Sequence, residues 1–237
     1  MTSRDLAFDG CHNVRDLGGL PTADGRETRR GAVVRSDTPD RLTAAGWSAL
    51  RAYGVRTLVD LRNDAEVTAW NGYRPPWVEV VRAPLDDDGD TEFWESLRHL
   101  YGTPLYYRAF LDRKPGRCAA AVAAIAQAPP GGVLFHCVAG RDRTGIVALV
   151  LLALAGVPPG DIAADYELTA ERLGPLYAKI GEEDEAPSIR RRLAQAGTSA
   201  REIVSTLAAM DAGAYLLGGG LSPADLAAAR ARLAPPA

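Results

Sequence analysis

The chain has 237 residues, of which 47% are hydrophobic and 24% are charged, and its formal net charge is −3. This composition is typical of a soluble globular protein with one sizeable core. The charge excludes the overall basic field of a nucleic-acid-binding protein. The three cysteines are an odd number without CxxC spacing, which argues against a disulfide framework and against a zinc site.

The apolar runs of the sequence give no indication of a targeting or membrane segment. The sequence starts with the polar stretch MTSRDLAFDG, and its longest apolar run covers only residues 146–155. Neither stretch resembles a signal peptide or a membrane-spanning helix. We therefore expect a cytoplasmic protein with no integral membrane segment, and export without a leader stays open.

Strand and helix patterns alternate along the first two thirds of the chain. Apolar runs predict strands at 32–36, 55–61, 77–85 and 133–137. Helical periodicity predicts helices at 43–53, 91–101, 104–112, 115–128 and 144–155. Thr43 stands where a helix N-cap is expected, and Gly54 follows the end of the same helix. The alternation predicts an α/β fold with a central, mostly parallel sheet flanked by helices.

The character of the sequence changes after residue 160. From 161 to 214 only helical periodicity is present, with breaks predicted at 174–175, 186–187 and 197. A turn at 216–221 then leads to a final amphipathic helix at 222–233 with Ser222 as its N-cap. These patterns predict one domain in three parts: an α/β core (1–160), a helical lid or insertion (161–214), and a C-terminal helix that packs back on the core (215–237).

The string HCVAGRDRTG occupies residues 136–145, at a predicted strand–loop–helix junction. Cys137 ends the apolar strand, and Arg143 follows it six residues later, where a helix starts. The other two cysteines, Cys11 and Cys118, have no arginine at that distance. The full string fits the pattern HC-x2-G-x2-R-T-G. Because this pattern fixes several residues at one junction, it is far more specific than the Cys–Arg spacing alone.

Thiolate chemistry explains these residue types. A free thiol has a pKa of about 8.5, and a helix N-terminus or nearby cations lower it. The loop at 138–143 can turn its backbone N–H groups inward around an anion, and Gly140 permits a positive φ there. The guanidinium of Arg143 can bind two phosphoryl oxygens at once. Attack of the Cys137 sulfur on phosphorus would give a cysteinyl-phosphate.

The string resembles the phosphate-binding loop of cysteine-dependent protein tyrosine phosphatases. It is most similar to that of the atypical bacterial tyrosine/serine phosphatases, which typically read HCxxGKDRTG. Further stretches resemble the same group: NVRDLGGL (13–20), GAVVRSD (31–37), GVRTLVDLR (54–62) with Glu66, and ADY (164–166). The resemblance implies a phosphatase fold and hydrolysis of phosphotyrosine without metal or cofactor. Phosphoserine, phosphothreonine and phosphoinositides are further implied substrates, as parts of a phosphorylated protein or a lipid partner.

The resemblance also implies roles for individual residues. Cys137 would be the nucleophile, Arg143 would bind phosphate and stabilise the transition state, and Thr144 would assist thiolate release. His136 would organise the loop and tune the thiol. The loop residues that would bind the substrate phosphate, together with Arg143, are Val138, Ala139, Gly140 and Arg141.

Two details of the resemblance affect specificity and support of the loop. Arg141 stands where the group usually has lysine, which keeps the charge and changes the geometry. In the N-terminal stretch, Asn13, Arg15 and Asp16 are candidates to support the loop.

The acid that protonates the leaving group stays open between two candidates. No Trp-Pro-Asp motif is present. Asp142 lies in the loop itself, and the resemblance favours it. The alternative is the run of Asp86, Asp87 and Asp88 after a predicted strand, although such a run is also typical of a solvated turn.

Asp60, at the end of another predicted strand, has two interpretations. It would either orient Arg143 or the loop, or form an ordinary ion pair with Arg62 or Arg56.

Two other functions use a cysteine in an anion-binding loop. Rhodanese-type sulfur transfer and arsenate reduction are disfavoured by the Arg-Thr-Gly ending and by Asp142, and thiosulfate turnover would discriminate them. A non-catalytic phosphate-binding module would be expected to lack the nucleophile, the arginine or the acid, and this chain has all three. The oligomeric state stays open.

Overall fold

The computed structural model describes residues 3–67 and 74–234. Its strands are β1 Arg15–Asp16, β2 Val33–Ser36, β3 Val55–Asp60, β4 Glu79–Arg82 and β5 Gly132–His136. In the described part of the chain they form one sheet in the order β1-β2-β5-β3-β4. Strands β2, β5, β3 and β4 are parallel, and β1 pairs antiparallel with β2 at one edge. The predicted mostly parallel α/β sheet is confirmed.

The helices surround this sheet. In chain order they are α1 Ala44–Tyr53, α2 Thr91–Leu97, α3 Tyr107–Arg113, α4 Pro115–Gln127, α5 Asp142–Leu154, α6 Pro159–Ile180, α7 Ala186–Gln195, α8 Ala200–Ala208, α9 Ala212–Gly218 and α10 Pro223–Leu233. Short 3-10 turns lie at Pro39–Arg41, Arg98–Leu100 and Pro104–Tyr106. Helix α1 has the predicted ends, with the Thr43 side chain accepting from the amide of Gly46 and Gly54 at φ +101°.

The two faces of the sheet are packed separately because successive side chains of a strand point to opposite faces. In β5, Leu134 packs with Trp47 and Leu50 of α1 on one face. Val133 and Phe135 belong to the larger core on the other face, which includes residues of α3, α4 and α5. All five residues of β5 are buried, as expected of a central parallel strand.

Helix α5 is buried on all sides. Every residue from 144 to 152 is buried, because α5 packs against the sheet and against α4, α6, α8, α9 and α10. The helix begins at Asp142, two residues before its predicted start. A loop of residues 137–141, the Cys137 loop, therefore connects β5 directly to the N-terminus of a rigid helix.

The carboxyl ends of the parallel strands converge beside this loop. Ser36 of β2 and Asp60 of β3 both lie in register with His136 of β5, and Arg82 of β4 is in register with Asp60. Ligand sites of open parallel sheets form at this edge. The fold thus places polar ends of three further strands around the Cys137 loop.

The helical region after residue 158 differs from prediction in two places. Helix α6 continues through 174–175, where the Gly-Pro pair predicts a break. Proline inside a helix removes a backbone hydrogen bond, but Leu173, Leu176 and Tyr177 are buried there, and their packing outweighs the local preference. Helix α9 also covers residues 216–218 of the predicted turn, because Leu216 is fully buried in the main core.

The helices after α5 pack in two groups. Helix α6 packs against α8, and both contact α5, whereas α10 packs against α4 and α9. Leu226, Ala229 and Leu233 form the buried side of α10.

Across residues 3–67 and 74–234, no helix combines the length and the apolar character needed to cross a membrane.

Candidate active site

Cys137 lies at the floor of an open cavity of about 470 Å³. Its side chain is buried, and Val138, Ala139 and Arg143 of the same junction line the cavity with it. Gly140 has φ +68°, and a Cβ atom at this position would collide with the backbone carbonyl of Ser36. Only glycine allows the loop to approach β2 this closely and to turn in this direction.

Two side chains hold the loop from behind through its carbonyl groups. The Asn13 amide donates to the carbonyl oxygens of Ala139 at 3.1 Å and Gly140 at 3.0 Å. Arg35 Nη2 also donates to the Gly140 carbonyl at 3.0 Å. In a trans peptide the carbonyl and the following N–H point in opposite directions. The amides of Gly140 and Arg141 therefore point away from Asn13 and Arg35, as a backbone cradle for an anion requires.

Behind these contacts lies a buried carboxylate, Asp165, with three arginines around it. Arg4 and Arg35 approach it at 2.8 Å, and Arg15 at 3.0 Å. Burial alone would raise the pKa of Asp165, but the positive charges of Arg15, Arg35 and Arg4 outweigh burial and hold this pKa well below its usual range. Arg15 also donates to the side-chain oxygen of Asn13 at 2.6 Å, so this cluster positions the residue that holds the loop.

The sequence identified only part of this support. Asn13 and Arg15 were candidates within NVRDLGGL, whereas Asp16 accepts from the amides of Gly18 and Gly31 instead. The resembling stretches also contained Arg35 and Asp165, but no local pattern showed that these two residues meet. The sequence feature that could have pointed to them is a charged residue among apolar neighbours, because a buried charge requires a partner of opposite charge.

Arg143, in the first turn of α5, is held by carboxylates from two other segments. Its guanidinium forms a two-point ion pair with Glu66, in which Nη2 and Oε1 are 2.8 Å apart. Its Nη1 also lies 3.3 Å from Asp86 Oδ2. Asp60, for which the sequence left open a role in orienting Arg143 or the loop and an ion pair with Arg62 or Arg56, pairs with Arg62 at 2.8 Å and with Arg82 at 2.9 Å. Its Oδ1 also lies 4.0 Å from Nε2 of His136 beside the loop. Glu66 therefore has the position that the sequence considered for Asp60.

Both candidate acids line the same cavity as Cys137. Asp142 is the first residue of α5; its Oδ1 accepts from the Tyr107 hydroxyl at 3.0 Å and its Oδ2 from Arg141 Nε at 3.2 Å. Burial raises the pKa of Asp86 to about 6, with the charge of Arg143 opposing that increase and Glu66 adding to it.

The other two carboxylates of the acidic run differ from Asp86. Asp88 also lines the cavity and accepts a hydrogen bond from the Asn63 side chain at 2.6 Å. Asp87 pairs with Lys114 at 3.4 Å and with Arg117 at 3.2 Å. Of the run, Asp86 is the member that contacts Arg143.

His136 and Thr144 flank the loop in buried positions. Burial lowers the pKa of His136 to about 4, so the ring is neutral at pH 7. Its Nδ1 lies 3.0 Å from the carbonyl oxygen of Cys137, which fixes the proton on Nδ1 because a carbonyl can only accept. The Thr144 hydroxyl is buried and has no hydrogen-bond partner among residues 3–67 and 74–234.

Aromatic side chains form one side of the cavity. Six aromatic residues fall within 93–110, and three of them, Trp94, Tyr101 and Tyr106, line the cavity as an aromatic wall. Trp94 contacts Tyr101 edge-on with 5.7 Å between ring centroids. The Trp94 indole donates to the Asp87 carbonyl at 2.8 Å, which fixes its orientation. No motif in the sequence assigns these residues a role, although the local density of aromatic residues is a usable signal.

The helices after α5 contact the Cys137 loop through both apolar and charged groups. Ala139 packs against Leu173, Leu176 and Tyr177 of α6. Arg141 Nη1 lies 2.6 Å from Glu185, which precedes α7, and Glu185 also accepts from the Tyr177 hydroxyl at 3.0 Å. A second cavity of about 620 Å³ lies among α6, α7 and α8 and has Arg141 in its wall.

The parallel sheet, the buried thiol at its carboxyl edge and the arginine on the following helix define a class of proteins that bind an anion beside a reactive cysteine. Comparison with known families gives the same result. The chain belongs to the tyrosine phosphatase family, whose model matches residues 6–235.

Three relatives illustrate the similarity. A Cupriavidus necator protein, named among the tyrosine-protein phosphatases, is 39% identical over 171 residues, or 68% of this chain. The triple specificity protein phosphatase PtpB of Mycobacterium tuberculosis is 30% identical over 211 residues, covering 77% of this chain and 74% of PtpB. A tyrosine-protein phosphatase of Nostoc commune is 34% identical over 159 residues, or 60% of this chain. The matches span 62% of the Cupriavidus protein and 49% of the Nostoc protein.

The raised pKa of Asp86 predicts a pH-dependent contribution to stability. Its pKa is about 6 when folded and near 3.8 ordinarily, so folding favours the protonated carboxyl. Ionisation of the buried carboxyl therefore destabilises the folded protein. This destabilisation is absent below pH 4, grows as pH rises from 4 to 6, and is complete above pH 7. We expect Asp86→Asn to raise the free energy of unfolding by up to about 3 kcal/mol at pH 7.5 and by little at pH 4.

Urea unfolding of both proteins between pH 4 and 8 measures this difference. Asp88→Asn, on the same segment, is the matched control for loss of a carboxylate. Parallel stability curves for Asp86→Asn and the unchanged chain would contradict the prediction.

Proposed function

We propose that this chain hydrolyses phosphate monoesters, phosphotyrosine first among them, through a cysteinyl-phosphate intermediate. The observation that carries the proposal is the Cys137 loop: its thiol faces a cavity, its amides are turned by Asn13 and Arg35, and Arg143 is held beside the thiol by Glu66. Each part suits a phosphoryl group with two negative charges.

In the first step the Cys137 thiolate attacks phosphorus. The sulfur–phosphorus bond forms while the bond from phosphorus to the substrate oxygen breaks, and that oxygen takes a proton from the acid. The N-terminus of α5 and Arg143 stabilise the thiolate and the charge on the transferring phosphoryl oxygens. The loop amides of Val138, Ala139, Gly140 and Arg141 bind the same oxygens.

In the second step water attacks phosphorus and gives its proton to the carboxylate formed in the first step. The sulfur–phosphorus bond breaks, inorganic phosphate leaves and the thiolate returns. The unpartnered Thr144 hydroxyl, one residue beyond Arg143, is available to donate to the departing sulfur. His136 holds the Cys137 carbonyl and so keeps the loop in shape through both steps.

Asp142 is the acid in this proposal. It begins α5 directly after the Cys137 loop and lines the cavity with Cys137, and its carboxyl is fixed by donors on both oxygens. Asp86 is the alternative, because its carboxyl also faces the cavity and its pKa of about 6 leaves part of it protonated near neutral pH.

Phosphotyrosine is the favoured substrate because the aromatic wall offers flat faces and edges to a phenyl ring. Phosphoserine, phosphothreonine and phosphoinositides are further proposed substrates. The name of the relative PtpB, a triple specificity protein phosphatase, supports a range of this kind.

The three-part organisation belongs to the same proposal. Residues 1–160 form the catalytic core, residues 161–214 act as a lid, and residues 215–237 pack back on the core. The lid assignment is supported by the contacts of Tyr177 and Glu185 with Arg141 of the Cys137 loop.

The thiols Cys11, Cys118 and Cys137 are all free, which supports a reducing compartment such as the cytoplasm.

The nucleophile is tested with p-nitrophenyl phosphate in EDTA. We expect Cys137→Ser to lower kcat by at least about 10³-fold, because the serine hydroxyl is a far weaker nucleophile than a thiolate. Cys11→Ser is the matched control and should keep full activity. Retained activity in Cys137→Ser, or turnover of thiosulfate in place of the ester, would overturn the proposed mechanism.

The acid is tested by the pH dependence of kcat. Asp142→Asn should lower kcat about 10²-fold or more and remove the limb of the profile that reports the acid. Asp86→Asn should keep this limb, because in the proposal Asp86 transfers no proton. The opposite pattern would assign the acid to Asp86.

The lid is tested by Glu185→Gln, which weakens the ion pair with Arg141 and keeps an acceptor for Tyr177. An ion pair that is open to solvent on the Glu185 side is worth about 1 kcal/mol, so KM for a tyrosine-phosphorylated peptide should fall about two- to fivefold. The KM for p-nitrophenyl phosphate should stay constant, because a small ester needs no lid movement. Glu183→Gln on the same segment is the control, and equal effects on both substrates would refute a lid.

A further inference from the structure

A buried tyrosine hydroxyl contacts the carboxylate that begins α5, directly after the Cys137 loop. Tyr107, the first residue of α3, is fully buried, and its hydroxyl is 3.0 Å from Asp142 Oδ1. The Tyr166 hydroxyl of α6 lies 3.3 Å from it. Because a phenol has one proton, the proton that Tyr107 donates to Asp142 leaves its oxygen to accept from Tyr166. Two helices thus supply a hydrogen-bonded chain that ends on the candidate acid.

Burial keeps this chain protonated. Burial, followed by the negative charge of Asp142, raises the pKa of Tyr107 well above 10. Burial likewise raises the pKa of Tyr166. Tyr107 therefore remains a hydrogen-bond donor at neutral pH, and it takes no part in proton transfer itself.

Gly145 provides the space for this arrangement. A Cβ atom at residue 145 would lie 3.2 Å from the Tyr107 hydroxyl and 3.1 Å from Cε2 of Tyr166. Both distances are shorter than ordinary van der Waals contact. Glycine inside a helix costs up to about 1 kcal/mol relative to alanine, so the close approach of the two tyrosines gives this glycine a physical role.

The surroundings of Asp142 define what Tyr107 contributes. On the other side of the carboxyl, Arg141 Nε donates to Oδ2 at 3.2 Å, and Arg141 is in turn paired with Glu185. The same cavity is lined by the charged groups of Asp86 and Arg143, by the thiol of Cys137 and by Tyr106 of the aromatic wall. Arg141 divides its contacts between Asp142 and Glu185, whereas Tyr107 is fully buried in the core.

We propose that Tyr107 is a positioning residue for Asp142: its hydroxyl, oriented by Tyr166 and admitted by Gly145, fixes the carboxyl toward the leaving oxygen of the substrate. The proposal rests on the assignment of Asp142 as the acid. Fixing the carboxyl matters in the step in which the leaving oxygen takes its proton, so the benefit depends on how much the leaving group needs that proton.

The test compares two substrates of the full chain. Phenyl phosphate has a poor leaving group that requires protonation, whereas 2,4-dinitrophenyl phosphate has a leaving group that departs without a proton. We compare kcat/KM, which reports the steps up to departure of the leaving group and excludes hydrolysis of the cysteinyl-phosphate. We expect Tyr107→Phe to lower kcat/KM for phenyl phosphate about tenfold, the size of one hydrogen bond to a charged group. We expect kcat/KM for 2,4-dinitrophenyl phosphate to change less than about twofold. Phenylalanine keeps the ring contacts, and Tyr215→Phe, which removes a hydroxyl bound to the Leu111 carbonyl, is the control.

A second variant and a double variant keep the outcome unambiguous. Gly145→Ala should cause the same substrate-selective loss by displacing the Tyr107 hydroxyl. In an Asp142→Asn background, Tyr107→Phe should cause no further loss. Equal losses on both substrates for Tyr107→Phe, with a selective loss for Asp142→Asn, would overturn the positioning role and leave the acid assignment intact. Equal losses on both substrates for Asp142→Asn itself would overturn the acid assignment and the positioning role together.

Discussion

The buried pairing of Asp165 with Arg15 and Arg35 is the interaction on which the rest of the site depends. It connects α6, β1, β2 and, through Asn13 and Arg35, the carbonyls of the Cys137 loop. Burial of such charges is expensive and contributes little net stability. What the cluster supplies is geometry, because each charge has to be satisfied where the fold places it. With three arginines on one carboxylate, it also leaves positive charge behind the loop.

The two arginines beside Cys137, Arg141 and Arg143, are each paired with two carboxylates. Arg143 is paired with Glu66 and Asp86, and Arg141 with Asp142 and Glu185. Each guanidinium is thereby held in place by two carboxylates, at least one of them from another segment of the chain, so little side-chain entropy is lost when a phosphate binds. The same carboxylates compete with an incoming anion, which means that affinity for phosphate is set by charge balance as much as by hydrogen bonding.

Much of the string HCVAGRDRTG could be interpreted from sequence. The strand–loop–helix junction and the need for Gly140 follow from local spacing and backbone sterics, and both are found at the predicted string. The role of Gly145 could not be predicted, because it depends on Tyr107 and Tyr166 from two other helices. Nor could the aromatic wall, whose residues gain meaning only by facing the cavity.

The sequence by itself determined the α/β alternation and the thiol loop, because strand and helix periodicity and glycine conformations are properties of neighbouring residues. Only the tertiary structure decided which carboxylate meets which arginine: Glu66 rather than Asp60 on Arg143, and Asp165 on Arg15 and Arg35. It also carried α6 through Pro175 against the local preference. Ion pairs and packing of this kind join residues more than 150 positions apart, and no local pattern encodes where two such distant segments will meet.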